Sequence, residues 1–305
     1  MAQETSFIDS LRAIVTHDGA RGLRDDAAVL EVGGTRLVLS HDMLVEGVHF
    51  LSSDPPESVA WKLVAVNLSD LAGKGAKPLA ALMGYTLTGD ADWDAGFVAG
   101  LQVALTAFNL PLIGGDTVSG KERALGLTVI GTGGAVIPAR AGAGVGDGIY
   151  VTGTIGDAGY GLGIAKRGEF EPRSLLEAYR KPMPQLAAGA LLAPVVTAMM
   201  DVSDGLLIDT ARLAEASGVA AMIDLDAVPL SHDYKAAAGG DRAARLQAVT
   251  AGDDYQLLFT STLPFPALPS PVTRIGQMVR GHGVHVHDGA GGVPLPTRLG
   301  WLHGG

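Results

Sequence analysis

The chain has 305 residues, a formal net charge of −10 and no cysteine. Its acidic character disfavours nucleic-acid binding, and the lack of cysteine excludes disulfides, thiolate catalysis and Cys-ligated zinc. No apolar stretch reaches the ~20 residues that cross a bilayer, and the first residues do not resemble a signal peptide. We therefore expect a cytoplasmic protein without nucleic-acid or membrane partners.

The first half of the chain is predicted to mix helices and strands. Asp54 is expected to cap one helix, with Pro55 in its first turn. Apolar spacing and the positions of glycine and proline predict a helix over 7–15, strands over 27–32 and 36–40 around the Gly33-Gly34 turn, helices over 54–71 and 93–108, and strands over 112–113 and 125–136.

The glycine- and alanine-rich segment 138–146 is a predicted domain boundary, which divides the chain into domains 1–140 and 141–305. The second half is predicted to contain a strand over 149–152, a helix ending near 166, a buried helix over 185–200 interrupted at Pro194, a helix over 204–217 capped by Gly218, and strands over 221–225, 255–260, 273–275 and 284–287. Both halves mix the two element types, so the predicted class is α/β (α+β).

Aspartates recur at the ends of these elements, beside small or apolar residues. Any one of them is explained by a helix cap or a turn, but the whole set suggests carboxylates that converge. Converging carboxylates need cations between them, and oxygen ligands favour Mg²⁺. Asp70 shares a helix face with Asn67, three residues earlier. The set comprises Asp25, Asp26, Asp42, Asp70, Asp116, Asp201 and Asp204.

The ordered blocks around these aspartates resemble one family, the thiamine-monophosphate kinases, within the superfamily of aminoimidazole-ribonucleotide synthetase and selenophosphate synthetase. The blocks span almost the whole chain and keep the family order. They are DDAAV at 25–29, DMLVEGVHF at 42–50, VNLSDLA at 66–72, IGGDT at 113–117, GDGIYVTG at 146–153, MDVSDGL at 200–206 and GDDYQLLF at 252–259.

The resemblance implies that ATP phosphorylates thiamine monophosphate with the help of several Mg²⁺ ions, giving thiamine diphosphate and ADP. It also implies a two-domain fold like that of aminoimidazole-ribonucleotide synthetase, with N-terminal sheets from two subunits forming a dimer barrel. By motif match, the metal ligands would be Asp26, Ser40, His41, Asp42, Asp70, Asp116, Asp201 and Asp204. ATP would contact Gly115, Asp116, Arg140 and Ser203, and thiamine monophosphate would contact His49, Asp253 and Trp301.

The chain departs from the family pattern at a few positions. Arg24 and His41 stand where the family usually has glycine and threonine. For His41 this leaves the backbone carbonyl, and not the side chain, as the expected metal ligand. Asp253 replaces a glutamate, which shortens its reach by one methylene. The segment Gly73-Lys74-Gly75 replaces a more apolar stretch. None of these changes removes a metal-binding aspartate, so we expect the activity to be retained.

Two alternative functions remain. One is another ATP-dependent synthetase of the same superfamily, although selenophosphate synthetase and the hydrogenase-maturation relative use cysteine chemistry that this chain lacks. The other is a metal- or nucleotide-binding module without turnover. Turnover of ATP with thiamine monophosphate would distinguish the kinase from both alternatives. Such a transfer needs no covalent nucleophile, which agrees with the lack of cysteine.

Overall fold

Two β-sheets with packed helices form the framework of the protein, whose computed structural model describes residues 2–262 and 264–302. The first sheet has the strand order β1-β2-β5-β3-β4, with only β3 and β4 parallel. Its strands are β1 (Ala28–Val32), β2 (Thr35–Val45), β3 (Lys77–Leu87), β4 (Leu112–Ser119) and β5 (Ala124–Thr132).

The helices of the first half are α1 (Ala2–Arg12), α2 (Pro56–Gly73) and α3 (Ala91–Ala107). Helices α2 and α3 pack against each other, and apolar residues from α2, α3 and the sheet share one core. The opposite face of the sheet exposes large apolar side chains, namely Met43, Leu82, Ile113 and Val118. The sheet therefore has one covered face and one open face.

The second sheet has the order β12-β11-β8-β10-β6-β9-β7, in which β8 and β11 are parallel and the other pairs antiparallel. Its strands are β6 (Gly148–Thr152), β7 (Ala198–Asp201), β8 (Ala220–Asp224), β9 (Leu257–Ser261), β10 (Val272–Val279), β11 (Gly283–Asp288) and β12 (Gly291–Val293). Its helices are α4 (Asp157–Lys166), α5 (Arg173–Arg180), α6 (Leu186–Leu192), α7 (Leu206–Ser217), α8 (His232–Ala238) and α9 (Arg242–Val249).

Helix α2 joins the two halves, since it contacts β2 and β5 on one side and α6 and β7 on the other. The approach is close enough to require glycine at residue 189 and leaves little room for a side chain at residue 73. A Cβ at Gly189 would lie 2.0 Å from the carbonyl oxygen of Ala72, and one at Gly73 would lie 3.3 Å from the backbone nitrogen of Asp201. This packing brings the C-terminal end of α2, which carries Asp70, next to the end of β7.

The predicted mixed α/β class is confirmed, and so is the Gly218 cap, which adopts a left-handed conformation with φ of 69°. The predicted helix over 185–200, interrupted at Pro194, is confirmed as far as Leu192, where α6 ends, and is wrong beyond it, where β7 follows. Pro194 cannot continue a helix, and the β-branched residues after it favour an extended chain. Strand β3 was not predicted, since Pro78 and Gly84 are unfavourable in strands and interrupt the alternation of apolar and polar residues. Helices α5, α8 and α9 were not predicted either.

The predicted capping role of Asp54 is also wrong. The N-cap residue of α2 is Pro55, and no side chain caps that helix. The buried carboxylate of Asp54 instead accepts hydrogen bonds from Tyr179 Oη at 2.7 Å and Arg180 Nε at 3.0 Å. Asp54 thus connects the start of α2 to α5 in the second half of the chain.

Within the described residues, none of the helices combines the length and the apolar character that crossing a bilayer requires. The predicted boundary at residue 140 lies in the irregular segment between β5 and β6. The division of the chain into two domains at that residue stays a prediction.

Candidate active site

Three buried carboxylates meet where α2 approaches β7. Asp26 precedes β1, Asp70 lies near the end of α2, and Asp201 ends β7. Each offers a carboxylate oxygen, and these oxygens all lie within 4.8 Å of one another. Three distant segments of the sequence therefore form one group, called the acidic cluster below.

The environment of the acidic cluster opposes full ionisation. Burial raises the pKa of Asp201 to about 8, and the charge of Asp26 adds to the shift. Burial also raises the pKa of Asp70 well above its usual value, followed by the charge of Asp42. The pKa of Asp42 is raised to about 6, first by burial and then by the charges of Asp26 and Asp204. Protons or cations must offset this concentration of negative charge.

Asp26 differs from its neighbours because two protein cations face it. Lys74 Nζ lies 2.6 Å from Oδ2 of Asp26, and Arg140 donates a hydrogen bond to Oδ1. Burial alone would raise the pKa of Asp26, but the charges of Lys74 and Arg140 outweigh burial and hold that pKa well below its usual value. Asp26 is therefore ionised even without a metal ion.

Polar side chains on β2 and α2 orient the aspartates. Ser40 Oγ donates a hydrogen bond to Oδ2 of Asp70 and lies 3.1 Å from the backbone carbonyl of Asp26. Asn67 Oδ1 accepts a hydrogen bond from the backbone nitrogen of Asp42 at 2.8 Å. Asn67 and Asp70 thus serve one site from one helix face, as their spacing predicts.

The loop between β7 and α7 is held by Asp209, a residue that the sequence did not single out. One carboxylate oxygen of Asp209 accepts hydrogen bonds from the backbone nitrogens of Ser203, Asp204 and Gly205, at 3.1 to 3.2 Å. Arg212 Nη1 then pairs with Asp204 at 2.5 Å and with Asp209 at 2.9 Å. The backbone of Ser203 and the carboxylate of Asp204 are fixed by these contacts.

A cavity of about 410 Å³ opens between the two halves of the chain. It brings together the three residues predicted to contact the acceptor and three of those predicted for metal or nucleotide. Leu44, Val66 and Leu162 add apolar surface to its lining. The predicted site residues in the lining are Asp42, His49, Ser203, Asp204, Asp253 and Trp301.

Lys62 supports one wall of this cavity from the buried side of α2. Its Nζ lies 2.7 Å from Oδ2 of Asp253 and 3.0 Å from the carbonyl oxygen of His49, and it is 4.3 Å from the ring centroid of Tyr179. The other carboxylate oxygen of Asp253 accepts a hydrogen bond from Tyr255 Oη at 3.0 Å. Asp253, whose φ is 63°, is thus held on both sides.

The side chains of His41 and Asp116 lie on the open face of the first sheet. His41 Nδ1 is 2.9 Å from Thr128 Oγ1, the residue opposite on β5. Asp116 is exposed on β4, opposite Gly84 of β3. Because neighbouring strand residues point to opposite faces, these side chains face away from Asp42 and the acidic cluster of the same chain.

Gly115 lies beside Asp116 on β4, and its lack of a side chain has a local explanation. A Cβ there would come within 1.9 Å of the carbonyl oxygen of Met83 on β3. The nucleotide contact of Gly115 and Asp116, like a backbone contact of His41 with metal, stays a prediction.

Arg140 was named from the sequence, but the other cations of the site were missed, and two of these, Lys62 and Lys74, could have been noticed from the sequence. Lys62 is a charged residue inside an apolar helix, and Lys74 stands between two glycines at the end of that helix. A lysine in such a setting is unusual unless it is paired. Asp209 and Arg212 left no comparable signal, because both types are ordinary on helices.

Two family models match the chain: "AIR synthase related protein, N-terminal domain" over residues 24–133 and "AIR synthase related protein, C-terminal domain" over residues 144–260. Thiamine-monophosphate kinase of Salmonella typhimurium is 36% identical over 277 residues, covering 86% of this chain and 85% of that protein. The Caulobacter vibrioides protein of the same name is 36% identical over 311 residues, covering 93% and 86%. The solved structure of AaThiL complexed with AMPPCP and TMP has a TM-score of 0.86 and 30% identity, and covers 98% of this chain and 97% of that one.

Proposed function

Because the chain belongs to the thiamine-monophosphate kinase family, we propose that it transfers the γ-phosphoryl group of ATP to thiamine monophosphate, giving thiamine diphosphate and ADP. The enzyme class is a phosphotransferase whose acceptor is a phosphate group. The observation that carries this proposal is the position of Asp42. It lines the cavity with His49, Asp253 and Trp301, and it interacts electrostatically with Asp26 of the acidic cluster.

The acidic cluster has the chemistry of a Mg²⁺ site. Its donors are carboxylate oxygens, and burial raises the pKa values of Asp70 and Asp201, so a cation would relieve the charge that now favours protonation. Asp26, Asp70 and Asp201 would hold the metal, with Asp42 and Asp204 toward the cavity and Ser40 as a further proposed ligand. His41 could contribute only its backbone carbonyl, and the side chain of Asp116 faces away from this cluster, so the predicted metal contact of Asp116 within the same chain is not supported. Bound Mg²⁺ neutralises the negative charge of the phosphates.

The chain itself supplies positioning. Asn67 fixes the backbone at Asp42, Asp209 fixes the backbone at Ser203 and Asp204, and Arg140 carries a positive charge beside Asp26. In-line phosphoryl transfer needs little covalent participation by the protein, so alignment of two anionic substrates accounts for most of the rate. Arg140 and Ser203, with Gly115 and Asp116, are the proposed nucleotide contacts.

On the acceptor side, we assign His49, Asp253 and Trp301 to thiamine monophosphate. The thiazolium ring of this acceptor is a cation, which an aromatic face and a carboxylate can both attract. Trp301 is half exposed at the cavity, and Asp253 retains 30% of its side-chain surface. The wall formed by Asp253 is therefore open to a cationic ring.

The open apolar face of the first sheet is the surface we propose for a homodimer, in which two such sheets would form a barrel. Exposed Ile113 and Val118 lie on β4, Leu82 lies on the adjacent β3, and Met43 lies on β2, beyond β5 in the same sheet. Analytical ultracentrifugation is expected to give twice the chain mass of 31.2 kDa. A monomer mass at micromolar concentration would contradict the dimer.

A cytoplasmic location without nucleic-acid or membrane partners also stays part of this proposal.

The decisive test is a coupled assay for ADP release, with thiamine monophosphate, thiamine or no acceptor, with and without Mg²⁺. We expect release only with Mg²⁺ and thiamine monophosphate, and mass spectrometry should identify thiamine diphosphate. ATP turnover with a different acceptor alone would indicate another synthetase of the superfamily. Nucleotide binding without any turnover would indicate a binding module.

A further inference from the structure

Lys74 is a fully buried cation within the proposed metal site. Its exposed fraction is 0%, and its Nζ lies 2.5 Å from Oδ1 of Asp25 and 2.6 Å from Oδ2 of Asp26. A lysine is rarely buried to this extent, and then only with partners for its charge. The two carboxylates supply that partnership.

The backbone at Lys74 is fixed, so the ammonium group cannot leave the site easily. Lys74 N–H donates to the carbonyl oxygen of Asp70 at 3.2 Å, which closes the last turn of α2. The next residue, Gly75, has a φ of 59°, and a Cβ there would come within 2.4 Å of Ala193 Cβ. One turn of α2 therefore presents both a carboxylate, Asp70, and an ammonium group to the same site.

Both oxygens of Asp26 are already engaged by the protein. Lys74 lies at Oδ2 and Arg140 at Oδ1. Burial lowers the pKa of Lys74, but the charges of Asp26 and Asp25 raise it above its usual value, so the side chain stays an ammonium ion. A metal ion that binds Asp26 must share an oxygen with one of these cations or replace it.

We propose that Lys74 is a resident cation of the metal site: it holds the Asp26 carboxylate in place before metal binds, and it weakens the binding of Mg²⁺ by one unit of positive charge. The inference rests on the proposed function, which places Mg²⁺ at the acidic cluster. Lys74 is a positioning residue in this account, since its ammonium group acts through Asp26.

The test compares the full-length protein with its Lys74→Met variant, which removes the charge and keeps the length of the side chain. In EDTA, thermal unfolding of the variant is expected at a temperature lower by at least about 3 °C, because Asp25 and Asp26 lose a buried partner. Without nucleotide, Mn²⁺ binding measured by electron paramagnetic resonance is expected to strengthen by about 10-fold, because one positive charge leaves the site.

Lys77→Met is the matched control, because Lys77 lies three residues further on, is exposed, and carries the same charge. It should change neither quantity. Lys74→Gln provides a second variant if Lys74→Met does not fold: it removes the same charge and keeps a hydrogen-bond donor, so Mn²⁺ binding should again strengthen.

The outcomes separate this inference from the proposed function. Clear Mn²⁺ binding with the same affinity in the Lys74→Met and native proteins would overturn the role of Lys74 alone. Absence of Mn²⁺ binding in both proteins would overturn the metal site and, with it, this inference. Equal strengthening of Mn²⁺ binding in Lys77→Met would also overturn it, since the effect would then be one of overall charge.

Discussion

Two buried lysines belong to α2 and its C-cap, and their surroundings differ. Lys62 faces a single carboxylate, that of Asp253, and also contacts the carbonyl oxygen of His49, so it joins two walls of the cavity. Lys74, twelve residues later and about 18 Å along a helix axis, faces two carboxylates beside a cluster of others. Charge is nearly balanced at the Lys62 end and strongly negative at the Lys74 end.

This difference indicates that the two ends of α2 have different roles. At the Lys74 end, the excess of carboxylates requires a further cation, so this end is suited to bind metal and phosphates. At the Lys62 end, the charges of Lys62 and Asp253 neutralise each other. Lys62 therefore fixes the positions of Asp253 and His49, which we propose as contacts of thiamine monophosphate. Removing a carboxylate charge near Lys74 should therefore lower the rate of phosphoryl transfer, whereas removing either charge of the Lys62–Asp253 pair should weaken substrate binding.

The largest effect is expected at the metal end. Asp70→Asn or Asp204→Asn should lower kcat at least ~10²-fold, since each removes a charge from the proposed shell around Mg²⁺. Asp92→Asn, an exposed position on α3, is the control and should keep full activity. Steady-state assays with saturating ATP and thiamine monophosphate measure the change, and near-normal turnover in both variants would refute these roles.

At the acceptor end, Lys62→Met and Asp253→Ala should each raise the KM for thiamine monophosphate about 10-fold and leave the KM for ATP nearly unchanged. The two residues form one ion pair, so the double variant should be little worse than either single variant. An equal loss of ATP and acceptor binding would contradict the assignment of Asp253. Additive effects would contradict its dependence on Lys62.

A smaller effect concerns pH and the metal-free protein. The pKa of Asp201 is raised to about 8 and that of Asp42 to about 6, above the usual 3.8, so the folded chain binds protons more tightly than the unfolded chain. The protonated forms of these two aspartates therefore raise the free energy of unfolding at low pH. This contribution is lost as the pH rises through the pKa of Asp42, about 6, and that of Asp201, about 8. The unfolding temperature in EDTA should fall from about pH 4 to about pH 8 and then level off, and Mg²⁺ should restore it.

The Asp201→Asn variant sharpens this measurement, because it removes the group with the higher of the two pKa values. Its unfolding temperature in EDTA should vary less with pH than that of the native protein. Parallel pH profiles in the two proteins would show that Asp201 does not couple proton binding to stability.

The sequence predicted those parts of the site that local patterns encode. Asn67 and Asp70 were assigned to one helix face from their spacing, and the structure places both beside Asp42 and the acidic cluster. Asp26 and Asp201 could be recognised because each stands at the end of an element. The family resemblance is confirmed by the matching models and relatives, whereas the roles of the individual residues stay predictions.

The parts that the sequence could not supply depend on tertiary packing. Nothing local indicates that Lys74 reaches Asp25 and Asp26, since these partners come from another segment of the chain. The segment 185–200 is mostly apolar, so its periodicity could not separate a buried helix from a strand, and the pairing with β9 identifies β7. Likewise, the faces of His41 and Asp116 follow from strand register, which short strand predictions do not fix.

The contact between α2 and α6 has a consequence for which substitutions the chain tolerates. An alanine at Gly189 would place a methyl group 2.0 Å from the Ala72 carbonyl, so α6 would have to slide along or away from α2. At Gly73, the added methyl would press on the backbone that carries Asp201. The spacing of the carboxylates thus depends on glycine at both positions, although neither residue takes part in the chemistry. We therefore expect Gly73 and Gly189 to tolerate substitution poorly, as the aspartates of the site do.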